Sequence, residues 1–514
     1  MKSFRRIKKI NQQEYVYEIQ PYYDPKTKKT KQKSKYIGKY AGDIENAQPV
    51  RKIIPKSSYS WGEFIPFQEV IRQLKLYEIL ESVLGRRDAE TLIGISINKA
   101  IESMPMYAIK SWAEGTILIK EYPEMILTSQ TISEFLKRIS NESVINKITE
   151  KIIEKHRPKG TFIYDLTSIT SYSEFINILE YGYNRNEDGL AQINYSIAIS
   201  EEKNIPIMFD IYSGSIVDVS TLRQTIKKLK IYGVKDCTLI LDRGLFSEAN
   251  IDELLQKENP INFIMPGTLS NKEIRKIIET EEIEKLENLH KYQNKTIFAK
   301  AVKVKIGKHQ IEGYLYYNSE RANKEKEHLY NKISELKEKI EDKISNLTSK
   351  DEIEQKIEVI AKAYKKYFTW NDVKRRLEYQ ESEIEKSKIT MGKFILLYTG
   401  NKYKWNECLE NYKKKSDVEQ AFDMLKNDMN ASRLNMKTEE TFKGLLFVYF
   451  ISLMLRMKFN SIVSKNNLHK KYSFTEMMLE LRKLKKIQFD NGEILTTELT
   501  KKHKEILQHF NFKF

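Results

Sequence analysis

Apolar positions change texture several times along the chain. Near the start, Tyr15-Val-Tyr-Glu-Ile-Gln-Pro-Tyr-Tyr23 alternates as a strand, Asp24-Pro25 turns, and a second strand runs towards Tyr36-Ile37-Gly38. From about 60 to 155 the spacing is helical: Phe67, Val70, Ile71, Leu74, Ile79, Leu80 and Val83 recur at three and four, Gly85 fits a C-cap, and Ser129 opens a hydroxyl-capped helix. From about 160, short apolar runs alternate with helical stretches. Strands are predicted over 161–167, 192–199, 205–212, 237–241 and 262–265, with helices around 222–229, N-capped by Asp218, and from Ser247. Strands interleaved with helices in this way specify an α/β domain built on a mixed sheet.

The stretch between Asp242 and Glu419 is far longer than one sheet connection requires. It carries two more strands, 296–306 and 311–317, about a turn at Gly307-Lys308. A long charged helix follows with Leu329, Ile333, Leu336, Ile340, Ile344 and Leu347 as its stripe. Ser349 and Glu352 fit a capping box for a partner helix. A strand over 393–398 returns the chain to a helix predicted over 411–426, where Val418, Ala421, Phe422 and Leu425 form the apolar stripe. At about 100° per residue, Tyr412, Lys415, Glu419 and Lys426 fall within an arc of roughly 60° beside that stripe. A carboxylate flanked by cations suits a site that binds a divalent metal and grips phosphate; an ordinary solvated face with intrahelical ion pairs fits the same pattern. Beyond 441 the pattern stays helical, and Leu445-Leu-Phe-Val-Tyr-Phe-Ile-Ser-Leu-Met-Leu455 is too short to span a bilayer and reads as a buried helix. Arg482-Lys-Leu-Lys-Lys486 is either solvated surface or a contact to DNA backbone.

At 514 residues the chain needs more than one core. A net charge of +17 favours a polyanionic partner, nucleic acid before an acidic membrane. Lys26, Lys28, Lys29, Lys31, Lys33 and Lys35 lie near Tyr36 and Tyr40, which suits contact with a DNA backbone or, equally, a lysine-guarded sheet edge. The helical stretch that follows suits recognition of a DNA site or plain packing. Two cysteines exclude a disulfide framework and suit a reducing cytosol, and no apolar run follows the basic start, so no secretory signal is expected. There is no Walker A loop, no His-Glu-x-x-His and no Cys-x-x-Cys. Asp165 lies within one strand and Asp242 ends another, with Asp210 and Asp218 as rival acids. Singly, each is most simply a turn-former or helix cap. As a set, Asp165, Asp242 and Glu419 can converge at one sheet edge, and three carboxylates at one spot call for Mg²⁺ or Mn²⁺ between them.

Tyr412, Lys415, Glu419 and Lys426 resemble the Tyr-x2-Arg-x3-Glu-x6-Lys pattern of DDE-type insertion-sequence transposases in the superfamily named after insertion sequence four. Lys415 stands where that pattern has Arg, which keeps the charge and loses the planar fork. The resemblance extends to Tyr164-Asp165-Leu-Thr-Ser-Ile-Thr, to Tyr181-Gly-Tyr-Asn184 with Gln192, and to Leu241-Asp242-Arg-Gly-Leu-Phe-Ser247. It implies an RNase H-like catalytic core in which Asp165, Asp242 and Glu419 hold two Mg²⁺ or Mn²⁺ ions. Tyr412, Lys415 and Lys426 would contact DNA phosphates. The implied chemistry is nicking at the element's ends and strand transfer into target DNA, by a homodimer on paired double-stranded ends in a prokaryotic cytoplasm, with no membrane partner. A hairpin intermediate with a flipped base would need a stacking aromatic, for which Trp370 and Trp405 are candidates. A nuclease or resolvase of the same fold and a non-catalytic, domesticated DNA binder are the alternatives. The expected division is a basic β arm (1–55), a helical, DNA-end-binding domain (56–158), the first part of the core (159–268), an inserted β and helical-hairpin subdomain (269–391), the second part of the core with the Glu419 helix (392–460), and a C-terminal helical region (461–514).

Overall fold

The alternating apolar runs pair into one ten-stranded mixed sheet. The computed structural model describes residues 2–40, 42–44, 54–156, 160–173, 176–182, 189–216, 218–234, 237–256 and 260–513. Strands β1 (Gly160–Ser171), β2 (Gln192–Ser200) and β3 (Ile205–Ser213) form an antiparallel trio. On the other side of β1, β4 (Cys237–Ile240) and β5 (Asn262–Pro266) run parallel to it. The sheet then continues antiparallel through β6 (Leu289–Tyr292), β7 (Lys295–Ile306), β8 (His309–Tyr317) and β9 (Lys393–Tyr398), in the order β6-β7-β8-β9-β5-β4-β1-β2-β3. A two-residue strand, β10 (Arg433–Leu434), pairs parallel with the end of β1. β2 is buried along its whole length, Gln192, Asn194, Ser196 and Ser200 included, so it is covered on both faces.

Four helices matter for the site: α1 (Asp218–Ile231), α2 (Trp405–Lys413), α3 (Ser416–Asp423) and α4 (Glu439–Lys465). Among the described residues α4 is long and apolar enough to cross a membrane, yet most of that stretch is buried inside the protein. It lies against β3 and the helices Arg86–Ile101 and Ser129–Ile139, so the helical region and the sheet share one continuous core containing Phe67, Phe135, Phe209, Phe447 and Phe450. Gly444 lets α4 approach the backbone of Ser129–Ile139: a Cβ there would sit 2.1 Å from the Leu136 carbonyl oxygen. The insertion has its own core, formed by Ser319–Ile344 and Lys350–Ala361 around Leu329, Ile333, Leu336 and Ile340. Beneath β7, β8 and β9 a third cluster gathers Tyr316, Tyr398, Cys408 and Leu409.

Several local expectations need correction. The N-terminal unit has three strands, because Phe4–Ile10 pairs with Gln13–Asp24 ahead of Lys29–Lys39; its run of cations hid the alternation. The end of the chain is not wholly helical: Lys485–Phe489 pairs with Pro55–Ser60 and Ile494–Thr496, a strand made by partners rather than by its own propensity. Arg482 is no free DNA contact, since Glu63 and Glu102 both pair with it. Thr128, not Ser129, caps the helix that follows it. Ser349 occupies an N-cap position, but its side chain makes no capping bond. Gly85 caps its helix as expected, and the helix expected to start near Ser247 is Glu248–Leu254, with Ser247 as its N-cap. Tyr183 and Asn184 lie outside the described residues, as does the side chain of Asp218.

The expected single helix over 411–426 is three pieces: α2, α3 and a π-helical segment, Met424–Asp428. The break falls at Lys414-Lys415, where backbone bonds tighten to i→i−3, from Lys414 to Asn411 (3.2 Å) and from Lys415 to Tyr412 (3.0 Å). Packing explains it. Cys408 and Leu409 of α2 bury into the cluster under β7–β9, whereas Val418, Ala421 and Phe422 of α3 bury into the main core. The chain turns between the two, at its run of three lysines.

Candidate active site

Register alone brings two of the acids together. Ile163 of β1 pairs in parallel with Ile240 of β4, and Asp165 and Asp242 each lie two residues further on. With a side-chain period of two, both carboxylates leave the same face of the sheet at the same level. Asp242 ends its strand as the cap of a short 3-10 turn, Arg243–Leu245, and its Oδ1 accepts the Arg243 backbone N–H at 2.7 Å. Asp165 pairs across β2 with Ile197, whereas Asp210 pairs with Ser196, so Asp210 faces the opposite side. There it is buried and paired with Lys228 of α1, and burial raises its pKa despite that partner. The rival acid is therefore structural.

The third acid arrives with α3. Lys415, at the turn before it, extends its ammonium into the face carrying Asp165 and Asp242. Lys415 Nζ lies 2.9 Å from Asp242 Oδ1, 3.5 Å from Glu419 Oε1 and 4.0 Å from Asp165 Oδ2. The two longer legs bound the widest oxygen separation at about 7.5 Å. Burial by itself would lower the Lys415 pKa; the charge of Asp165, the hydrogen bond to Asp242 and the charge of Asp242 outweigh it and raise it. The Lys415 side chain is 14% exposed and that of Glu419 64%, so the cluster is sunk at the lysine and open at the glutamate. Tyr412 sits at the same place: its phenol pKa is raised by burial and then by Asp242, against Lys415 and Arg243.

The structure thus joins Asp165, Asp242, Glu419, Lys415 and Tyr412. Lys426 lies further on, in the π-helical segment. Two further cations adjoin these residues: Arg243, next to Asp242 and near the Tyr412 phenol, and Lys414, next to Lys415 and paired with Glu201 at 3.1 Å. Their sequence signal was adjacency to residues already singled out. Of the aromatic candidates, Trp405 stacks on His290 with centroids 4.4 Å apart and meets Tyr292 edge-on, while Trp370 packs on the insertion's own core. Gly182 abuts Gly214, and Gln192 exchanges backbone hydrogen bonds with Glu180 (3.0 and 3.1 Å), so this segment braces the start of β2.

A family model described as the transposase DDE domain matches residues 156–455, more than half of the chain and all ten strands of the sheet. The chain belongs to the transposase DDE domain family. It is a DNA transposase of the DDE type, and the matched stretch includes Asp165, Asp242 and Glu419. No curated protein matches it. A solved piggyBac transposase synaptic complex with hairpin DNA is similar at 12% identity with a TM-score of 0.39, over 82% of this chain and 78% of that one. The assignment of this transposase rests on the family match.

Proposed function

We propose that Asp165, Asp242 and Glu419 are the catalytic carboxylates of an RNase H-like core that nicks DNA at the ends of an insertion sequence and transfers the freed 3′-hydroxyl into target DNA. One observation carries the reading: carboxylates from three elements far apart in sequence lie within 4.0 Å of a single atom, Lys415 Nζ. The antiparallel trio continued by two parallel strands supports the core assignment.

The donor set fits two Mg²⁺ or Mn²⁺ ions in chemistry: all three side chains offer hard oxygen ligands, on a face open at Glu419. As they stand, no three acidic, His or Cys side chains among the described residues are grouped closely enough to hold an ion. The acids surround an ammonium instead. Bound between these acids, the two ions would lower the pKa of the attacking water or 3′-hydroxyl and neutralise charge on the leaving oxygen. The protein's own residues do the rest. The Arg243 backbone N–H fixes the Asp242 carboxylate, and the rigid strand β1 fixes Asp165. Lys415 and Lys426 supply point charges for phosphates near the scissile bond, and Tyr412 supplies a hydroxyl beside Asp242. The lysine-rich N-terminal sheet would hold flanking duplex, and two copies would pair two ends.

The test is strand cleavage of duplexes carrying the sequences that flank the gene. Cleavage should require Mg²⁺ or Mn²⁺, leave 3′-hydroxyl ends, and vanish in Asp165→Ala and Asp242→Ala while DNA binding persists. Cleavage retained in either variant would reject the assignment.

A further inference from the structure

We infer that Lys415 is the resident counter-cation of the carboxylate cluster, which withdraws when divalent metal binds and is thereby released to grip DNA phosphate. The inference rests on the proposed metal site and deepens it. Carboxylates gathered round one point repel one another, and a cation among them offsets that repulsion. Lys415 supplies one: its ammonium touches Asp242 and lies within reach of Asp165 and Glu419, one acid from each of three elements.

Geometry makes its two roles exclusive. An ammonium 2.9–4.0 Å from all three carboxylates stands in the space between the oxygens that would ligate an ion, and its side chain is largely buried there. A phosphate is not gripped by a lysine that faces three carboxylates. Lysine is suited to the change, having a flexible four-carbon stem and a compact charge, whereas the planar arginine fork pairs best in one fixed plane. The turn at Lys414-Lys415, where α2 ends and α3 begins, gives the side chain a hinge point outside regular helix. Metal loading would then come first and phosphate grip second, with Lys415 linking them.

Mn²⁺ binding to the full-length protein without DNA tests this. Lys415→Gln should bind Mn²⁺ about tenfold more tightly than wild type or better. Tenfold is 1.4 kcal/mol, about what one unit charge contributes at 2.9 Å even with the dielectric of water. Should Lys415→Gln fail to fold, Glu419→Gln with and without Lys415→Gln gives the same comparison with one repelling charge removed. In wild type, acylation of Lys415, followed by mass spectrometry, should rise several-fold on adding Mn²⁺ while Lys414 changes little. Equal or weaker Mn²⁺ affinity without Lys415, or unchanged acylation at saturating Mn²⁺, would overturn the inference and leave the metal site standing. Mn²⁺ binding that survives both Asp165→Asn and Asp242→Asn, or no binding by wild type and Lys415→Gln alike, would instead sink the metal-site reading, and the inference with it.

Discussion

Glu419→Gln should separate activity from stability more cleanly than any other change at the site. Glu419 is the exposed member of the cluster, with 64% of its side chain open to solvent, and its contact with Lys415 is an i,i+4 pair at 3.5 Å. Exposed ion pairs of that kind contribute about 0–1 kcal/mol. Glutamine keeps the shape and the helix propensity, and its removal of a like charge beside Asp165 and Asp242 offsets part of the lost attraction. The folding free energy should therefore change by less than about 1 kcal/mol, a shift of about 2–4 °C or less in a domain of this kind. Cleavage should behave very differently. Loss of a carboxylate that positions transition-state charge costs on the order of 10²–10³ in rate, and more where an ion is lost outright. Thermal unfolding, gel-shift binding and nicking of an end-containing duplex on the same preparation would measure all three. Cleavage within tenfold of wild type would refute the catalytic role, and a large loss of stability would mean that Glu419 serves the fold instead.

Other consequences are independent of that test. Gly444→Ala would place a Cβ against the Leu136 carbonyl, so denaturant unfolding should show a loss of about 1–3 kcal/mol; unchanged stability would contradict the close helix approach. Lys99 is buried in Arg86–Ile101, and burial pushes its ammonium down to about 8. Unfolded lysine titrates near 10.4, so the unfolded chain binds more protons in between; the cost is full below about pH 8 and relieved as pH rises towards about 10. Lys99→Met should thus stabilise the protein at pH 7, by up to about 3 kcal/mol, and flatten its rise in stability between pH 8 and 10. Lys29, Lys31, Lys33 and Lys35 alternate along one exposed strand and so share one face. Replacing all four with serine should make the dependence of log K on log salt shallower by about 3–4, and an unchanged slope would remove this sheet from the DNA interface.

Much of the site was legible because its determinants are local. An acid inside an apolar strand and another ending one announce themselves by period-two alternation, and Asp165 and Asp242 needed only the parallel register of β1 and β4 to meet. Asp210 shows the limit: it reads like Asp165, and only the pairing of Ser196 with Asp210 puts it on the other face. The break at Lys414-Lys415 was invisible for a similar reason. Nothing in 411–426 forbids one helix; two different cores, one claiming Cys408 and Leu409 and the other Val418 and Phe422, divide it. The strand Lys485–Phe489 likewise exists because Pro55–Ser60 is there to pair with it. Lys415 was singled out for its charge, but that three carboxylates share it is a long-range fact no local spacing contains.

The central claim is that three distant acids bind metal at one place. Loading the protein with Fe²⁺ in place of Mg²⁺ and generating hydroxyl radicals cuts the polypeptide beside the bound ion, and sequencing the fragments locates it. Cuts clustered near Asp165, Asp242 and Glu419, suppressed by excess Mg²⁺, are the predicted result. Cuts elsewhere with those three segments intact would contradict it.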